Sequence, residues 1–357
     1  MEYRLPRSDA EAEAAATFPR ERLLYLSRED VERVGVPNSE IATEIAQLFA
    51  EKAAGRVDAP PKLGIHPRSD SFLHAMPAHI PGRGAAGMKW VGVFPGNQGR
   101  GLPQVSGLII VNDADTGLPT AVLEAGWVTT KRTAAASVLA ARHLARKDAS
   151  SIGILGCGAQ GRSHLEALCA EFPIERAATF DPSPEVRARY AAEMQKQTGV
   201  RVRATASPRD AVEACDIIVT AGPIARIPYA TIQPGWLSPG AFAASIDYAS
   251  AWSAGALAEF DRIYVDDIPQ LEAHRKEGYF PNLPAPFADL GEVVTGTKRG
   301  RAARGERTMA CLLGLAAEDV AVAHLVVKLA VARRTDRNSS TARTARGRDP
   351  LASRAAQ

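Results

Sequence analysis

Hydrophobic and polar positions alternate in blocks after residue 150, and each block has the length of a strand or a helix. The apolar run "IGIL" (152–155) precedes the helical pattern "QGRSHLEALCAEF", which is followed by "RAATF" (176–180), "SPEVRARYAAEMQKQ" and "VRVRAT" (200–205). Ser207 starts a short helix, with Pro208 suited to its first turn. The runs "DIIVTAG", "GAFAASID" and "DRIYVDD" are further buried strands. Alternating strands and helices predict a parallel sheet covered on both faces.

The first part of the chain has a different pattern. "RLLYLS" is strand-like, Ser27 caps a helix over "REDVERVG", and a second helix begins at Ser39 with Glu40 in its first turn. "GMKWVGVFP", "VSGLIIVND" and "TAVLEAG" are strand-like, and "DADTG" forms a hairpin turn between the last two. This part therefore predicts an antiparallel sheet. "TTKRTAAASVLAARHLAR" is a long helix, and "ERTMACLLGLAAEDVAVAHLVVKLAVA" is a helical segment that returns to the first sheet.

Composition excludes several classes of protein. The chain has 357 residues and is 46% hydrophobic, which predicts a sizeable core and two domains. It lacks an apolar run of about 18 residues, so we expect no membrane span. Its charged start has no signal-peptide core, so we expect a cytoplasmic protein. Four scattered cysteines form neither a disulfide framework nor a metal-binding pair, and they indicate buried thiols in a reducing compartment.

Basic residues are concentrated at the end of the chain. The segment from Arg333 onward has seven Arg and two Asp, a net charge of +5, so the rest of the chain carries about −2 of the total +3. The folded body therefore gives no electrostatic reason to bind nucleic acid. The polar segment 336–357 is predicted to be a disordered basic tail.

The stretch "SIGILGCGAQGRSH" (151–164) has three glycines at the spacing of a dinucleotide-binding turn, between a predicted strand and a predicted helix. Gly156 permits the tight turn, Gly158 lets the backbone approach a pyrophosphate, and Gly161 lets the helix pack on the strand. The helix N-terminus supplies free N–H groups for the phosphates. We therefore expect an inserted Rossmann domain over 131–306.

The acidic residue that follows the second strand favours NAD as the cofactor. Asp181 lies twenty residues after Gly161, where its carboxylate would accept hydrogen bonds from the ribose hydroxyls and repel a 2′-phosphate. Arg187 is close enough in sequence to leave NADP open. Thr220, at the end of "DIIVTAG", is a further candidate for contact with the cofactor.

The segments "GMKW", "TTKRTAAASVLAARHLA", "GILGCGAQGRSHLEAL" and "DLGEVVTG...ERTMACLLGLAAEDVAVA" resemble the ornithine cyclodeaminase/mu-crystallin family over roughly residues 60–330. The resemblance implies an α/β protein in which an α+β substrate and dimerisation domain (1–130 with 307–335) carries the inserted Rossmann domain. It implies a homodimer that binds NAD(H) or NADP(H), and chemistry at the C2–N bond of α-amino or imino acids.

The resemblance also assigns roles to single residues. Lys89 in "MKW" matches the lysine that contacts the substrate carboxylate, and Arg132 in "KRTAAAS" matches the arginine between the substrate and the cofactor phosphates. Ala159 and Gln160 match the pair at the pyrophosphate, and Asp181 matches the ribose acid. Gln104 stands at a cofactor-contact position that is often Thr in the family.

Two positions depart from the family pattern. Lys62 is the nearest match to an arginine that binds the carboxylate, and a lysine lacks the planar fork of arginine. Asp247, in "AASIDYASAWS", stands about two positions before the family's catalytic aspartate. A loop deletion is the interpretation that we favour over loss of the acid.

These residues could together reduce an imine. Lys62, Lys89 and Arg132 supply cations for the substrate carboxylate, the nicotinamide supplies the hydride, and Asp247 is the candidate proton donor. Each also has a structural interpretation. Lys89 could be a solvent-facing lysine on a strand, Arg132 a surface arginine on a helix, and Asp247 the cap of a helix near Trp252.

The sequence favours an NAD(H)-dependent oxidoreductase that acts on a small α-amino or imino acid. An ornithine or lysine cyclodeaminase, which would form a cyclic imino acid and release ammonia, is the first alternative. A non-catalytic mu-crystallin-like small-molecule binder is the second, and the presence of Lys89, Arg132 and the glycine motif speaks against it. The histidines at 66, 74 and 79 share no metal-ligand spacing, so we expect no metal.

Overall fold

The computed structural model describes residues 23–346, apart from the side chains of Gln98 and of residues 334–346. Its helices are α1 (Arg28–Val34), α2 (Asn38–Ala53), α3 (Ala125–Leu144), α4 (Ala159–Glu171), α5 (Pro184–Thr198), α6 (Pro208–Val212), α7 (Ala254–Leu257), α8 (Ile268–Lys276), α9 (Leu290–Val294) and α10 (Ala316–Arg346). No helix in this part of the chain has both the length and the apolar character needed to cross a bilayer.

The first sheet has six strands: β1 (Leu24–Leu26), β2 (Leu63–Arg68), β3 (Ser71–Ile80), β4 (Ala85–Val93), β5 (Val105–Asp113) and β6 (Pro119–Glu124). Their order is β1-β6-β5-β4-β3-β2, and all neighbours are antiparallel except β1 and β6. The hairpin predicted at "DADTG" joins β5 to β6. The sequence pattern does not predict β2 and β3, because Pro67, Pro77 and several polar residues interrupt the alternation.

The helices that cover this sheet come from both ends of the chain. Helix α10 packs against β3, β4 and α2, as expected for a segment that returns to the first sheet. Ser27 and Asp30 form a capping box at the start of α1, as predicted. Helix α2 begins at Asn38, one residue before the predicted start. Helix α3 begins at Ala125, so the last part of the predicted strand "TAVLEAG" is helical.

The second sheet has eight strands: β7 (Ser151–Leu155), β8 (Arg176–Phe180), β9 (Arg201–Ala204), β10 (Ile217–Thr220), β11 (Phe242–Ser245), β12 (Arg262–Val265), β13 (Ala288–Asp289) and β14 (Thr308–Cys311). They are all parallel, in the order β13-β12-β14-β11-β10-β7-β8-β9. The chain runs outward from β7 to β9 and then returns to β10, so the direction of winding changes between β7 and β10. In such folds a ligand binds at the carboxyl ends of these strands. The expectation of an α/β fold with a Rossmann-like parallel sheet is confirmed.

Strand β14 corrects one expectation. Residues 308–311 were predicted to belong to a helix, and 307–335 to the first domain, but β14 pairs with β11 and β12 in the second sheet. A short, wholly apolar run does not distinguish a buried strand from a buried helix by its periodicity. The chain therefore crosses back to the first sheet only in the segment between β14 and α10.

Two terminal expectations fall wholly or partly outside the described residues. The backbone of α10 is helical to Arg346, so residues 336–346 differ from the disorder expected for the tail, and 347–357 lie outside the described part. The charged N-terminal segment 1–22, on which the expectation of no signal peptide rests, also lies outside it. All four cysteines are free, and three of them are buried.

Candidate active site

The glycine loop follows the carboxyl end of β7 and leads into α4. Gly156 has a φ of +104°, and a Cβ added there would lie 2.6 Å from the carbonyl oxygen of Ala221. A Cβ on Gly161 would lie 2.1 Å from the carbonyl oxygen of Gly156. These close approaches exclude a side chain at either position, because the turn and the helix leave it no room.

Gly158 has a different environment from the other two glycines. A Cβ added to it would meet nothing within 4 Å. Gly158 is the N-cap of α4, and no side chain caps this end, so the first-turn N–H groups, which include those of Ala159 and Gln160, face a space that an anion can enter. The side-chain Oε1 of Gln160 is buried and has no partner among the described residues. The loop therefore fits a pyrophosphate.

Asp181 directly follows β8 and lies against the glycine loop. Its Oδ2 accepts a hydrogen bond from the N–H of Cys157 at 3.1 Å, and its Oδ1 accepts one from the N–H of Ser183 at 3.1 Å. Arg187 donates to the main-chain oxygen of Asp181 at 3.0 Å, and its guanidinium lies 5.9 Å from the ring centre of Phe180. The carboxylate is placed for ribose hydroxyls, and a cation stands beside it.

Thr220 and Gln104 are less directly placed for a cofactor. The hydroxyl of Thr220 donates to Asp247 at 2.8 Å and accepts from Nε1 of Trp252 at 3.2 Å, so a contact between Thr220 and a cofactor would have to come from its main chain. Gln104 lies in the exposed segment before β5, where its main-chain oxygen accepts from Phe94 at 2.8 Å. Gln104 thus belongs to the part of the chain that forms the first sheet.

Lys89, Arg132, Glu318 and Asp319 form a buried charged cluster where β4, α3 and the first turn of α10 meet. The ammonium of Lys89 lies 2.5 Å from Oδ2 of Asp319. Arg132 donates from Nε to Asp319 at 2.9 Å and from Nη1 to Glu318 at 2.7 Å. The guanidinium Nη2 has no hydrogen-bond partner among the described residues, so one edge of Arg132 can bind a ligand. Neither Lys89 nor Arg132 is a surface residue, since their exposed fractions are 1% and 6%.

Burial shifts the pKa values of this cluster. Burial, together with neighbouring Arg132, lowers the pKa of Lys89 to about 8 against the opposing effect of Asp319. Burial would also lower the pKa of Arg132, but its two carboxylate partners outweigh that effect and raise it. The pKa of Glu318 is raised, mainly by burial. Arg132 is therefore a permanent cation, whereas Lys89 can lose its proton in mildly alkaline solution.

Helix α3 connects the charged cluster to the glycine loop. The hydroxyl of Ser163 on α4 donates to the main-chain oxygen of Thr130 at 3.2 Å, two residues before Arg132. His164 links Ser137 of α3, at 2.8 Å, to the main-chain oxygen of Gln160, also at 2.8 Å. The helix that carries Arg132 thus packs on the helix whose N-terminus forms the phosphate-binding loop.

Lys62 lies just before β2 and reaches the second sheet. Its Nζ donates to the main-chain oxygen of Leu313 at 2.5 Å and to the hydroxyl of Tyr248 at 2.9 Å. Burial and the nearby charge of Arg132 lower the pKa of Lys62 to about 7. Burial likewise raises the pKa of Asp266 to about 7, and its Oδ2 accepts from the N–H of Gly314 at 2.6 Å.

Gly314 lies between Lys62 and the charged cluster. It has a φ of +76°, and a Cβ added to it would lie 2.5 Å from Nη1 of Arg132. Both its backbone conformation and the closeness of the guanidinium require glycine. The segment between β14 and α10 therefore holds Lys62 through Leu313 and leaves room for Arg132 at Gly314.

Asp247 is fully buried just after β11, and three hydroxyl groups donate to its carboxylate. Ser245 and Thr220 donate to Oδ1 at 2.7 and 2.8 Å, and Tyr229 donates to Oδ2 at 3.0 Å. Burial raises its pKa, against the effect of these hydrogen bonds. Asp247 is not the cap of a helix, because Ser253 caps α7. Burial and the three donated hydrogen bonds thus act on the pKa of Asp247 in opposite directions, and burial has the larger effect.

Tyr248 and His274 are site residues that the sequence reasoning missed. Tyr248 and the next residue, Ala249, have φ values of +57° and +56°, which cost about 1–2 kcal/mol each for residues with a Cβ. This strained turn points the Tyr248 ring at His274, with the hydroxyl 3.4 Å from Nε2. The sequence carries no signal for two successive left-handed residues without glycine. Glu318 and Asp319 lie in "GLAAEDVAVA", one of the segments that carry the family resemblance, but the sequence alone assigns them no role.

Comparisons with known proteins identify relatives of the chain. Alanine dehydrogenase of Archaeoglobus fulgidus is 33% identical over 322 residues, which cover 87% of this chain and 96% of that protein. The structure of Thermococcus litoralis Delta(1)-pyrroline-2-carboxylate reductase in complex with NADH and L-proline has a TM-score of 0.79 and 31% identity, and covers 87% of this chain and 98% of that one. An archaeal alanine dehydrogenase dimer with bound NAD has a TM-score of 0.77 and 31% identity, with 87% and 97% coverage.

The family assignment rests on nearly the whole described chain. Residues 23–333 match the sequence profile of one family, and this range includes both sheets, the glycine loop and the charged cluster. The chain therefore belongs to the ornithine cyclodeaminase/mu-crystallin family.

Proposed function

We propose that this protein is an NAD(H)-dependent oxidoreductase that acts on the C2–N bond of a small α-amino or imino acid. One observation carries the proposal: Arg132, with one free guanidinium edge, lies on a helix that packs against the phosphate-binding helix. A carboxylate at Arg132 is thereby held close to a dinucleotide at the glycine loop. The relatives named above act on alanine and on pyrroline-2-carboxylate, which are compounds of this class.

The residues present fit the cofactor. The N–H groups of Ala159 and Gln160 would hold the pyrophosphate beside Gly158, and Asp181 would hold the ribose hydroxyls. When bound, NAD(H) accepts or donates the hydride at C2 of the substrate. The carboxylate of Asp181 favours NAD over NADP, since a 2′-phosphate would meet a negative charge.

The substrate carboxylate would be bound by cations that are already oriented. Arg132 and Lys89 are fixed by Glu318 and Asp319, so binding a carboxylate costs little side-chain entropy. Lys62 stands beside them as a third contact. The two acids balance the formal charges of Lys89 and Arg132, and the free guanidinium edge of Arg132 is the place where a substrate carboxylate would form charge-assisted hydrogen bonds.

Asp247 remains our candidate for the proton donor at the substrate nitrogen. Burial raises its pKa, and its three hydroxyl partners hold the carboxyl group in one orientation. The test is Asp247→Asn, which keeps the shape and removes the acid. We expect kcat to fall by about a hundredfold or more with little change in NADH affinity. Full activity of this variant would remove Asp247 from the mechanism.

A substrate panel tests the function. NADH oxidation would be measured with 2-oxo acids plus ammonia or methylamine and with cyclic imines, and NAD⁺ reduction with L-alanine, L-ornithine and L-lysine. Net NADH oxidation or NAD⁺ reduction supports the oxidoreductase. Release of ammonia from L-ornithine or L-lysine without net NADH would support the cyclodeaminase alternative. Binding without turnover anywhere in the panel would support the mu-crystallin-like binder.

We also propose a homodimer formed through the outer face of the first sheet. The strands present a row of apolar side chains that α2, α3 and α10 do not cover: Tyr25, Leu63, Ile65, Trp90 and Leu108, all exposed. A second copy is the occupant that we infer, because the archaeal alanine dehydrogenase relative is a dimer. Light scattering at micromolar concentration should give twice the chain mass, and Trp90→Asp should shift it to the monomer. A monomeric wild type would contradict the interface.

The same reasoning gives the domain division and the compartment. We propose a substrate and dimerisation domain made from both chain ends and a Rossmann domain between them, with the second boundary moved from residue 306 to after β14. The four free cysteines fit the reducing cytoplasm that we propose as its location. Deletion of 336–357 should leave both dimer and activity intact.

A further inference from the structure

Four polar side chains form a continuous chain of contacts from the charged cluster to the surface. Nζ of Lys62 is 2.9 Å from the hydroxyl of Tyr248, this hydroxyl is 3.4 Å from Nε2 of His274, and Nδ1 of His274 is 3.2 Å from Oε2 of Glu277. Tyr248 and His274 are buried, whereas Lys62 is partly exposed and the Glu277 side chain is 42% exposed. The chain of contacts therefore leads from Lys62 through two buried residues to the exposed carboxylate of Glu277.

We infer that Lys62, Tyr248, His274 and Glu277 form a proton relay between the substrate nitrogen and solvent. The inference rests on the proposed oxidoreductase function and extends it. It assigns the proton transfer at the substrate nitrogen to Lys62 in place of Asp247, and it gives Tyr248 and His274 the role of returning Lys62 to its neutral form.

The proton balance of the reaction requires such a route. When an α-amino acid becomes an iminium, the C2–H bond breaks as a hydride leaves with the bound cofactor, one N–H bond breaks, and the C=N bond forms. One proton is left over in each turnover. Lys62 accepts it as an ammonium and donates it to the oxygen of Tyr248 as the Tyr248 hydroxyl proton moves to Nε2 of His274, and the Nδ1 proton of His274 passes to Glu277. Glu277 then releases the proton to water, and His274 returns to its Nδ1–H tautomer before the next turnover. In reduction the same steps run backward.

The hydrogen-bond directions allow these transfers. Lys62 donates to the Tyr248 oxygen, and the tyrosine hydroxyl has two acceptors within reach, the main-chain oxygen of Leu313 at 3.3 Å and Nε2 of His274 at 3.4 Å. With Nδ1–H of His274 directed at Glu277, Nε2 is the acceptor that Tyr248 needs. An arginine in place of Lys62 could not lose a proton at neutral pH, which gives a chemical reason for a lysine at this position.

The proton affinities of the groups suit a relay near neutrality. Burial lowers the pKa of Lys62 to about 7. The groups that face it are Arg132 on α3, Lys89 on β4, Asp319 on α10, Asp266 after β12, His74 on β3 and His274 on α8. Burial, and then the charge of Lys62, lower the pKa of His274. Burial raises the pKa of Tyr248 well above its ordinary value, so it passes protons without ionising.

The packing holds the central residue of the relay in place. The Tyr248 ring stacks on Phe280 with centres 4.9 Å apart and meets Tyr279 edge-on at 5.7 Å. Its left-handed backbone conformation persists because these contacts fix it, and such strain is concentrated at functional positions. Tyr279 lies in the same aromatic group but outside the hydrogen-bonded chain, so it provides a matched control.

A second route to the surface competes with this relay. Tyr229, which is 43% exposed, donates to Asp247, so a proton could leave through these two residues. That route consists of a single tyrosine hydroxyl that donates to a carboxyl group whose pKa is raised by burial. It lacks a group such as His274 that can both accept and donate near neutral pH. The observations therefore favour the route through Tyr248.

The experiment compares the first turnover with steady-state turnover. Enzyme and NAD⁺ are mixed rapidly with the best amino-acid substrate from the panel, and NADH is followed for the wild type, Tyr248→Phe, His274→Gln, Tyr229→Phe and Tyr279→Phe. In Tyr248→Phe and His274→Gln, Lys62 can still accept the first proton but cannot be reset. We expect a burst of one NADH per site followed by steady-state turnover slowed about tenfold or more, and added imidazole buffer should restore part of it.

The outcomes separate the relay from the proposed function. Tyr279→Phe should behave as the wild type. Equal loss of burst and steady state in Tyr248→Phe, without buffer rescue, would show a merely structural role and overturn the relay, as would unchanged turnover. A slow steady state in Tyr229→Phe alone would assign the route to Asp247 and also overturn it. A wild type that neither oxidises NADH nor reduces NAD⁺ with any substrate of the panel would overturn the proposed function and the relay together.

Discussion

Replacement of Lys89 by methionine tests the charged cluster most directly. Methionine is of similar length and removes only the charge, so the loss falls on the contact with a substrate carboxylate and on the ion pair with Asp319. A charge-assisted hydrogen bond contributes about 1.5–3 kcal/mol, so kcat/KM should fall about ten- to 150-fold. NADH affinity should stay nearly unchanged, because Lys89 lies on the first sheet and the glycine loop on the second.

The fold should survive this change. Leaving a buried charge wholly unpaired costs about 3–5 kcal/mol, but Asp319 keeps its hydrogen bond to Nε of Arg132 at 2.9 Å. The lowered pKa of Lys89 also shows that the folded protein disfavours its charge, and removing that charge offsets part of the loss. We therefore expect the free energy of unfolding to fall by less than this range. Arg146→Met, which breaks a partly buried pair with Asp216 before β10, is the matched control for stability alone.

The assay also has a pH signature. Lys89 with a pKa of about 8 is charged below that pH and neutral above it, so KM for a carboxylate substrate should rise as the pH passes 8. In Lys89→Met the rise at this pH should be absent, because no group at that position titrates. Steady-state kinetics across pH 6–10 on both proteins, with NADH binding measured by fluorescence, check the prediction. Wild-type kcat/KM in the variant would refute the assignment of the carboxylate site.

The remaining predictions concern the cofactor and the glycines. Asp181→Ser should shift the cofactor preference toward NADP(H), because the native Arg187 stands beside this position. A wild type that uses NADPH and NADH equally well would contradict the role of Asp181. Gly158→Ala should fold normally but weaken NADH binding, because its Cβ meets only the cofactor space, whereas Gly161→Ala should lower Tm through its clash with Gly156. Gly314→Ala should lower kcat/KM by displacing Arg132, while Gly235→Ala, also at positive φ (+81°) but with nothing within 4 Å, should affect only stability.

The sequence predicted the second sheet well, because its strands and helices are separated by clear turn and capping signals. Ser207 illustrates this, since it caps α6 as expected. The first sheet was predicted only in part. Strands β2 and β3 contain prolines, and their polar and apolar residues do not alternate regularly, so the sequence pattern does not show them as strands. Strand β14 was taken for a helix, since its four residues are all buried and show no alternation of exposed and buried positions.

Site residues could be predicted from the sequence where a residue type has one chemical role. They could not be predicted where the role depends on contacts that only the folded structure creates. The three glycines follow from backbone requirements that the spacing shows directly. Lys89 and Arg132 came from family resemblance, and only the structure shows that they are buried and paired. Tyr248 could not be found from sequence, because its role depends on a left-handed turn and on a lysine 186 residues away.

The short segment between β14 and α10 explains how one site is built from two sheets. The N–H of Leu312 donates to Ser245 on β11 at 2.8 Å, the oxygen of Leu313 accepts from Lys62, and the N–H of Gly314 donates to Asp266. Two residues into α10, Glu318 and Asp319 hold Arg132 and Lys89. A shift of the second sheet relative to the first would therefore move this segment, and with it the lysine and arginine side chains proposed to bind the substrate. Closure around a bound dinucleotide would reposition Arg132 and Lys62 together, so cofactor binding and substrate binding should be coupled in this enzyme.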